Sequence, residues 1–135
     1  VYLGSLRYRA VASPDFIEQY TINQTTDLQQ APCLVFDHND RTQHEFLLQH
    51  AKFEPEYIHW CPSSEGFNQA MLAGLGYGML PELQIADSIG TGKLVDLFPG
   101  ECMDIPLYWH YWQTESPYLQ ALREYAVNAA KAYLV

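Results

Sequence analysis

The sequence predicts an α/β chain with a mostly parallel sheet of about five strands flanked by helices, and three observations carry that prediction. His59 to Pro81, HWCPSSEGFNQAMLAGLGYGMLP, reads as one uninterrupted β-α-β unit. Cys33-Leu34-Val35-Phe36 is a near-continuous apolar run, as found in parallel strands buried on both faces. Strand-like and helix-like segments then alternate along the whole chain, with no internal repeat or low-complexity tract between them.

Taken in order, Tyr2 to Ala12 reads as an extended strand, with Arg7 and Arg9 alternating with Tyr8 and Ala10 and with Gly4-Ser5 marking a possible hinge. Ser13-Pro14-Asp15 combines a cap, an N-terminal proline and an acid against the helix dipole, so Pro14 to Tyr20 should be a short helix. Thr25-Thr26-Asp27 starts another helical turn, which Ala31-Pro32 ends ahead of the Cys33–Phe36 strand. A helix over Thr42 to Ala51 follows, with Asp40 and Gln43 spaced as a capping box. In the β-α-β unit, Tyr57 to Cys61 is the first strand and Ser63 or Ser64 caps the helix. Phe67, Ala70, Met71 and Leu72 keep helical spacing until Gly74 and Gly76, and Gly78-Met79-Leu80 is the second strand. Pro81-Glu82 starts a helix to about Ile89, Gly90-Thr91-Gly92 breaks it, and Lys93 to Phe98 should be a strand closed by Pro99-Gly100. The aromatic run Ile105 to Trp112 reads as a long strand, and Pro117 to Leu134, with Leu119, Leu122, Tyr125 and Tyr133 in its apolar stripe, as the longest helix.

Composition bounds the class. At 135 residues and 48% hydrophobic, the chain has material for one core and too little for two full domains. Sixteen acidic against seven basic residues give a net charge of −9, which excludes this chain as the phosphate-neutralising surface of a DNA-binding protein. The longest apolar runs are interrupted by Gly, Pro or charge, and no signal peptide or membrane span is visible, so a cytoplasmic chain without membrane contact is expected. Cys33, Cys61 and Cys102 are odd in number and far apart, which suits reduced thiols better than a disulfide framework or a zinc site. A chain opening on Val1 within a strand-like run suggests part of a longer protein.

Candidate functional residues follow from the α/β layout, because ligands of open parallel sheets sit beyond the carboxyl ends of strands, where helix N-termini present free N–H groups. Ser63, Ser64 and Glu65 occupy one such place, and the polar loop Asp37-His38-Asn39-Asp40 forms a second wall. The competing reading of Ser-Ser-Glu is a helix cap alone. His38, His44 and His50 recur every six residues, which turns them to different helix faces, and no HExxH pattern occurs, so no metal or other cofactor is expected. Ser64, His38 and Asp40 could be written as a hydrolase triad, but no GxSxG elbow is present. Carboxylates at Asp37, Asp40 and Glu65 would favour a cationic ligand over an anion, although acids at helix starts also simply complement the dipole.

RYRAVASPDFIEQY, APCLVFDHND, SSEGFNQAMLAGLGYGMLPELQI, GTGKLVDLFPG and LYWHYWQTES, in this order, resemble a LysR-type transcriptional regulator over essentially the whole chain. FDHND, the SSE helix start, MLPELQI, LVDLFPG and LYWH are similar, more narrowly, to the ArgP subfamily of arginine and lysine export regulators. The resemblance implies a periplasmic-binding-protein-like type II effector domain of two α/β subdomains behind a winged helix-turn-helix. Residues 1–5 would be a hinge or crossover strand and 6–105 the second subdomain. Residues 106–135 would be the return strand and C-terminal helix completing the first subdomain. The DNA-binding domain would lie outside this chain, and DNA would be contacted only through it. The effector contacts implied by the match are Asp37 and His38 in FDH and Ser63, Ser64 and Glu65 in SSE, with lysine or arginine as the expected effector. No catalysis is expected, and homodimers or higher oligomers are. The alternative is half of a periplasmic-type solute-binding protein, against which the unpaired cysteines argue.

Overall fold

The computed structural model describes residues Val1–Val135 throughout. Six strands and five α-helices run in the order β1 (Tyr2–Ala12), α1 (Pro14–Gln19), a 3₁₀ helix (Thr25–Gln30), β2 (Pro32–Val35), α2 (Thr42–His50), β3 (Tyr57–Trp60), α3 (Ser64–Leu72), β4 (Gly78–Pro81), α4 (Glu82–Gly90), β5 (Val95–Asp96), β6 (Met103–Tyr108) and α5 (Pro117–Tyr133).

Helix starts follow local chemistry. Ser13, Ser63 and Ser116 are N-caps whose hydroxyls accept from the backbone N–H of Phe16, Gly66 and Leu119. Gly74, with φ +78, supplies the left-handed turn that ends α3.

The sheet differs from the mostly parallel one that alternation predicts. β1 pairs antiparallel with β4, β5 and β6, whereas β2 and β3 pair in parallel and a parallel bridge joins Cys33 to Tyr77 just before β4. Tyr8 lies between Pro81 and Met103, and Val11 between Gly78 and Asp96, so β5 and β6 lie end to end on the edge of β1 opposite β4. The order is therefore β3-β2-β4-β1-β5/β6, and β1 alone runs against the rest. The helical crossovers do join strands of one direction; what local periodicity does not encode is the insertion of an opposed strand between β4 and β5.

Alternation along the strands divides the core between the two sheet faces. Ala10, Ala12, Cys33, Val35 and Met79 pack with Phe16, Phe46 and Leu47 on one side. Val11, Leu34 and Leu80 pack with Phe67, Met71, Ile85 and Leu94 on the other. Helices α1 and α2 thus cover one face and α3 and α4 the other, a three-layer arrangement.

One helix cap and the bounds of β3, β5 and β6 change. The Asp40–Gln43 capping box does not form: Arg41 is the N-cap residue of α2, and Asp40 instead accepts from the Phe36 and Thr42 N–H groups at 3.0 Å each. The strand expected over Lys93–Phe98 shrinks to Val95–Asp96, because the N–H groups of Lys93 and Leu94 bond back to the Ser88 carbonyl and the Asp96 carboxylate takes the Phe98 N–H. β6 begins at Met103 and ends at Tyr108 rather than Trp112, since its partner β1 starts at Tyr2 and Trp109 makes its last backbone bonds to Val1. β3 stops at Trp60, one residue short of Cys61.

The C-terminal helix stands apart from this core. No residue of α5 is buried, and the helix rests mainly on β1. Arg123, stacked over Tyr111 and paired with Glu115 at 3.0 Å, holds the preceding loop. Val135 exchanges two backbone hydrogen bonds with Ser5, at 2.7 and 2.9 Å, beside Gly4.

Candidate functional site

β2 and β4 end side by side, and their carboxyl ends, with the first turns of α2, α3 and α4, enclose a cavity of about 330 Å³. Phe36 and Pro81 come from the strand ends, and Thr42 and Gln43, Ser64, and Gln84 come from the three helices. Phe67, Met79 and Leu80 supply an apolar surface, and Tyr8 enters from β1. A depression of about 460 Å³ over Pro32, Tyr57 and His59 lies at the opposite end of β2 and β3, away from these helix starts.

The cavity's electrostatics are one-sided. Asp40 is its single carboxylate, and no arginine, lysine or histidine lines it. Both Asp40 oxygens accept backbone N–H groups, which fixes the β2–α2 loop against the cavity. The Tyr8 phenol is pushed up from its ordinary value by burial and by the nearby Asp40 charge, so it faces a ligand as a neutral hydroxyl. The arginines of β1 belong to the other face of the strand. Arg7 pairs bidentately with Asp104 at 2.8 Å, and Arg9 bonds Glu82 at 2.6 Å, with both guanidinium groups held above their ordinary value chiefly by those hydrogen bonds.

The residues singled out from sequence fall in distinct places. Ser64 lines the cavity as the first residue of α3. Ser63, Glu65, Asp37 and His38 are not among the lining residues. The Ser63 hydroxyl accepts from the Gly66 N–H at 3.1 Å as the cap, and Glu65 stands exposed in the first turn. Asp37 shapes its loop by accepting from the N–H groups of Asn39 and Asp40 at 2.9 and 3.1 Å. His38 is exposed, its ring packed on Trp60 with centroids 4.3 Å apart. No hydrogen bond joins Ser64, His38 and Asp40, so the paper triad is not assembled. His44 faces Arg41 and Glu54, with its pKa lowered first by burial and then by Arg41, and His50 packs on Phe46 and pairs with Glu101. Of the thiols, Cys33 is buried and pushed up strongly by that burial, the environment of an inert core thiol.

Sequence reasoning did not find Tyr8, Gln43 or Gln84 as lining residues. Gln43 carried a legible signal: it shares a helix face with Phe46 and Leu47 at i+3 and i+4, and all three are buried.

Residues 1–131 match the family model described as the LysR substrate binding domain. The HTH-type transcriptional regulator ArgP of Pseudomonas aeruginosa (strain UCBPP-PA14) is 42% identical over 136 aligned positions, which cover 98% of this chain and 45% of that protein. The crystal structure of ArgP from Mycobacterium tuberculosis superposes with a TM-score of 0.89 at 31% identity, covering 98% of this chain and 46% of that one. Full-length LysG from Corynebacterium glutamicum with bound effector Arg superposes at 0.84 with 32% identity, covering 99% of this chain and 46% of that one. The chain spans a little under half the length of these relatives.

Proposed function

This chain belongs to the LysR substrate binding domain family, and from that premise we propose that it forms one wall of the effector site of an ArgP-like transcriptional regulator that senses lysine or arginine. The observation that carries the effector class is the cavity lining, which offers one carboxylate and no cationic side chain, so a cationic ligand gains and an anion is repelled. A basic amino acid also brings a carboxylate, which the free N–H groups in the first turn of α3 beside Ser64 are suited to receive. The arginine named with LysG agrees with this class.

Asp37, His38, Ser63, Ser64 and Glu65 are the proposed effector contacts of this wall, joined by Asp40. Support comes from their position on the two segments, the β2–α2 loop and the α3 start, that contribute Asp40 and Ser64 to the cavity. Residues 1–5 act as the hinge, 6–105 as the second subdomain, and 106–135 as the return strand and helix of the first. That division is supported by both core clusters lying within Tyr8–Met103 and by the absence of any buried residue in α5. Neither catalysis nor a cofactor enters this reading, because the family relatives are named as transcriptional regulators. DNA is contacted by a helix-turn-helix outside these residues, the regulator works in the cytoplasm as an oligomer, and no helix here is long and apolar enough to cross a membrane.

Titration calorimetry on the full-length protein containing this chain tests the proposal. Lysine or arginine should bind and glutamate should not; binding of glutamate in preference to both, or of none of the three, overturns it.

A further inference from the structure

We propose that Tyr8 is a specificity-determining residue of the cavity, its phenol oxygen accepting a hydrogen bond from the cationic group at the end of the effector's side chain, beside Asp40. This rests on the assignment of the cavity to a basic amino acid and names a second group that would grip it. Tyr8 lines the cavity from β1, on the strand face it shares with Ala10 and Ala12, and its ring packs against the core cluster that contains Phe16 and Phe46. Its hydroxyl takes no partner within the fold and stays open to solvent. The ring is thus anchored while its one polar atom is left free, the arrangement of a preorganised contact.

The surroundings decide which end of the effector meets that oxygen. Burial, and then the Asp40 charge, hold the phenol above its ordinary value, so it stays neutral. The same charge repels the effector's carboxylate and draws its cation, and no arginine, lysine or histidine of the lining opposes this. Each Asp40 oxygen already accepts one backbone N–H at 3.0 Å and keeps a further lone pair for the ligand. A neutral phenol adds a second acceptor without setting another negative charge beside Asp40. Ser64 and Gln84, the other polar groups across the cavity, are exposed side chains on the first turns of α3 and α4. With the effector's carboxylate at the α3 start, Phe67, Met79 and Leu80 offer apolar surface to its methylenes, which leaves its terminal nitrogen for Asp40 and Tyr8.

The test is a mutant cycle of Tyr8→Phe with Asp40→Asn in the full-length protein containing this chain, titrated calorimetrically with lysine and with arginine. Tyr8→Phe keeps the packed ring and removes only the oxygen. It should weaken binding of both ligands about tenfold, with an unchanged ligand-free melting temperature, because the hydroxyl has no partner in the fold. In the Asp40→Asn background the same substitution should cost clearly less, since both groups act on one nitrogen. Unchanged affinity in Tyr8→Phe, with effector still bound by the unsubstituted protein, overturns the role of Tyr8 alone. An equal loss in both backgrounds places the hydroxyl on another part of the ligand and overturns it as well, as does a lowered ligand-free melting temperature in Tyr8→Phe, which makes the hydroxyl structural. Failure of the unsubstituted protein to bind either basic amino acid overturns both the site and this inference.

Discussion

Asp40→Asn separates the two tasks assigned to this carboxylate. In the fold, Oδ2 accepts the Phe36 N–H and Oδ1 the Thr42 N–H, each at 3.0 Å, so the side chain clamps both ends of the β2–α2 loop. Asparagine has one oxygen to offer, and its NH₂ must then face the second N–H. One charge-assisted hydrogen bond is lost and two donors are opposed, which at a half-buried site should cost about 2 kcal/mol of stability. For a domain of this size that corresponds to a fall of roughly 6–10 °C in melting temperature. The same change removes the only negative charge of the cavity lining, so affinity for lysine or arginine should fall by about tenfold, and more at low salt than at high salt. Thermal melting of the ligand-free full-length protein reports the clamp, and calorimetry at two ionic strengths reports the charge. A lowered melting temperature with unchanged effector affinity would refute the cationic cavity and leave Asp40 as a loop clamp; an unchanged melting temperature would refute the clamp.

Two further predictions concern the chain's N-terminal strand and C-terminal helix. Gly4 has φ +129, and a Cβ there would lie 2.7 Å from the Leu134 Cβ, so Gly4→Ala should cost about 1–3 kcal/mol and release the tail. Faster hydrogen exchange at the Ser5 and Val135 amides is the expected sign, and unchanged protection would show that the close approach is not needed. Leu119 and Leu122 are both more than half exposed beside Tyr118 and Tyr125, so the isolated chain should dimerise or associate further through α5. Light scattering should return to monomer mass for Leu119→Glu/Leu122→Glu; a strict monomer before substitution would mean that this face needs no cover.

What the sequence made legible was chemistry that acts over a few residues. The cap at Ser13 formed as expected, and of the two candidates Ser63 and Ser64 it is Ser63 that caps α3, because a hydroxyl meets an N–H group three residues on whatever the rest of the chain does. β1 occupies Tyr2–Ala12 as its alternation implied, and the apolar Cys33–Val35 segment is wholly buried. Features fixed between distant segments were not legible. The opposed direction of β1 depends on β4 and β5, and the end of β6 depends on where β1 starts. Asp40 and Gln43 show the same limit within the site. Their spacing fits a capping box, but the Phe36 N–H competes for the carboxylate, and the turn of α2 buries Gln43 among Phe46 and Leu47 instead of bringing it back to the helix start.

β1 ties these observations into one mechanical argument. Its Tyr8 lines the cavity and stands in register with Pro81 on one side and Met103 on the other, so at that point the strand lies between two neighbours. Four residues earlier the same strand passes Gly4, where the tail is latched through Ser5 and Val135, and α5 rests chiefly on this strand. Between these points β6 is the only strand paired with β1, and the bidentate Arg7–Asp104 pair couples the two strands where Tyr2–Tyr8 and Met103–Tyr108 run together. The latch lies beside the bulged register between Tyr2 and Gly4, the one irregularity in the β1–β6 ladder, which is where a glycine with positive φ lets the strand pass close to the tail.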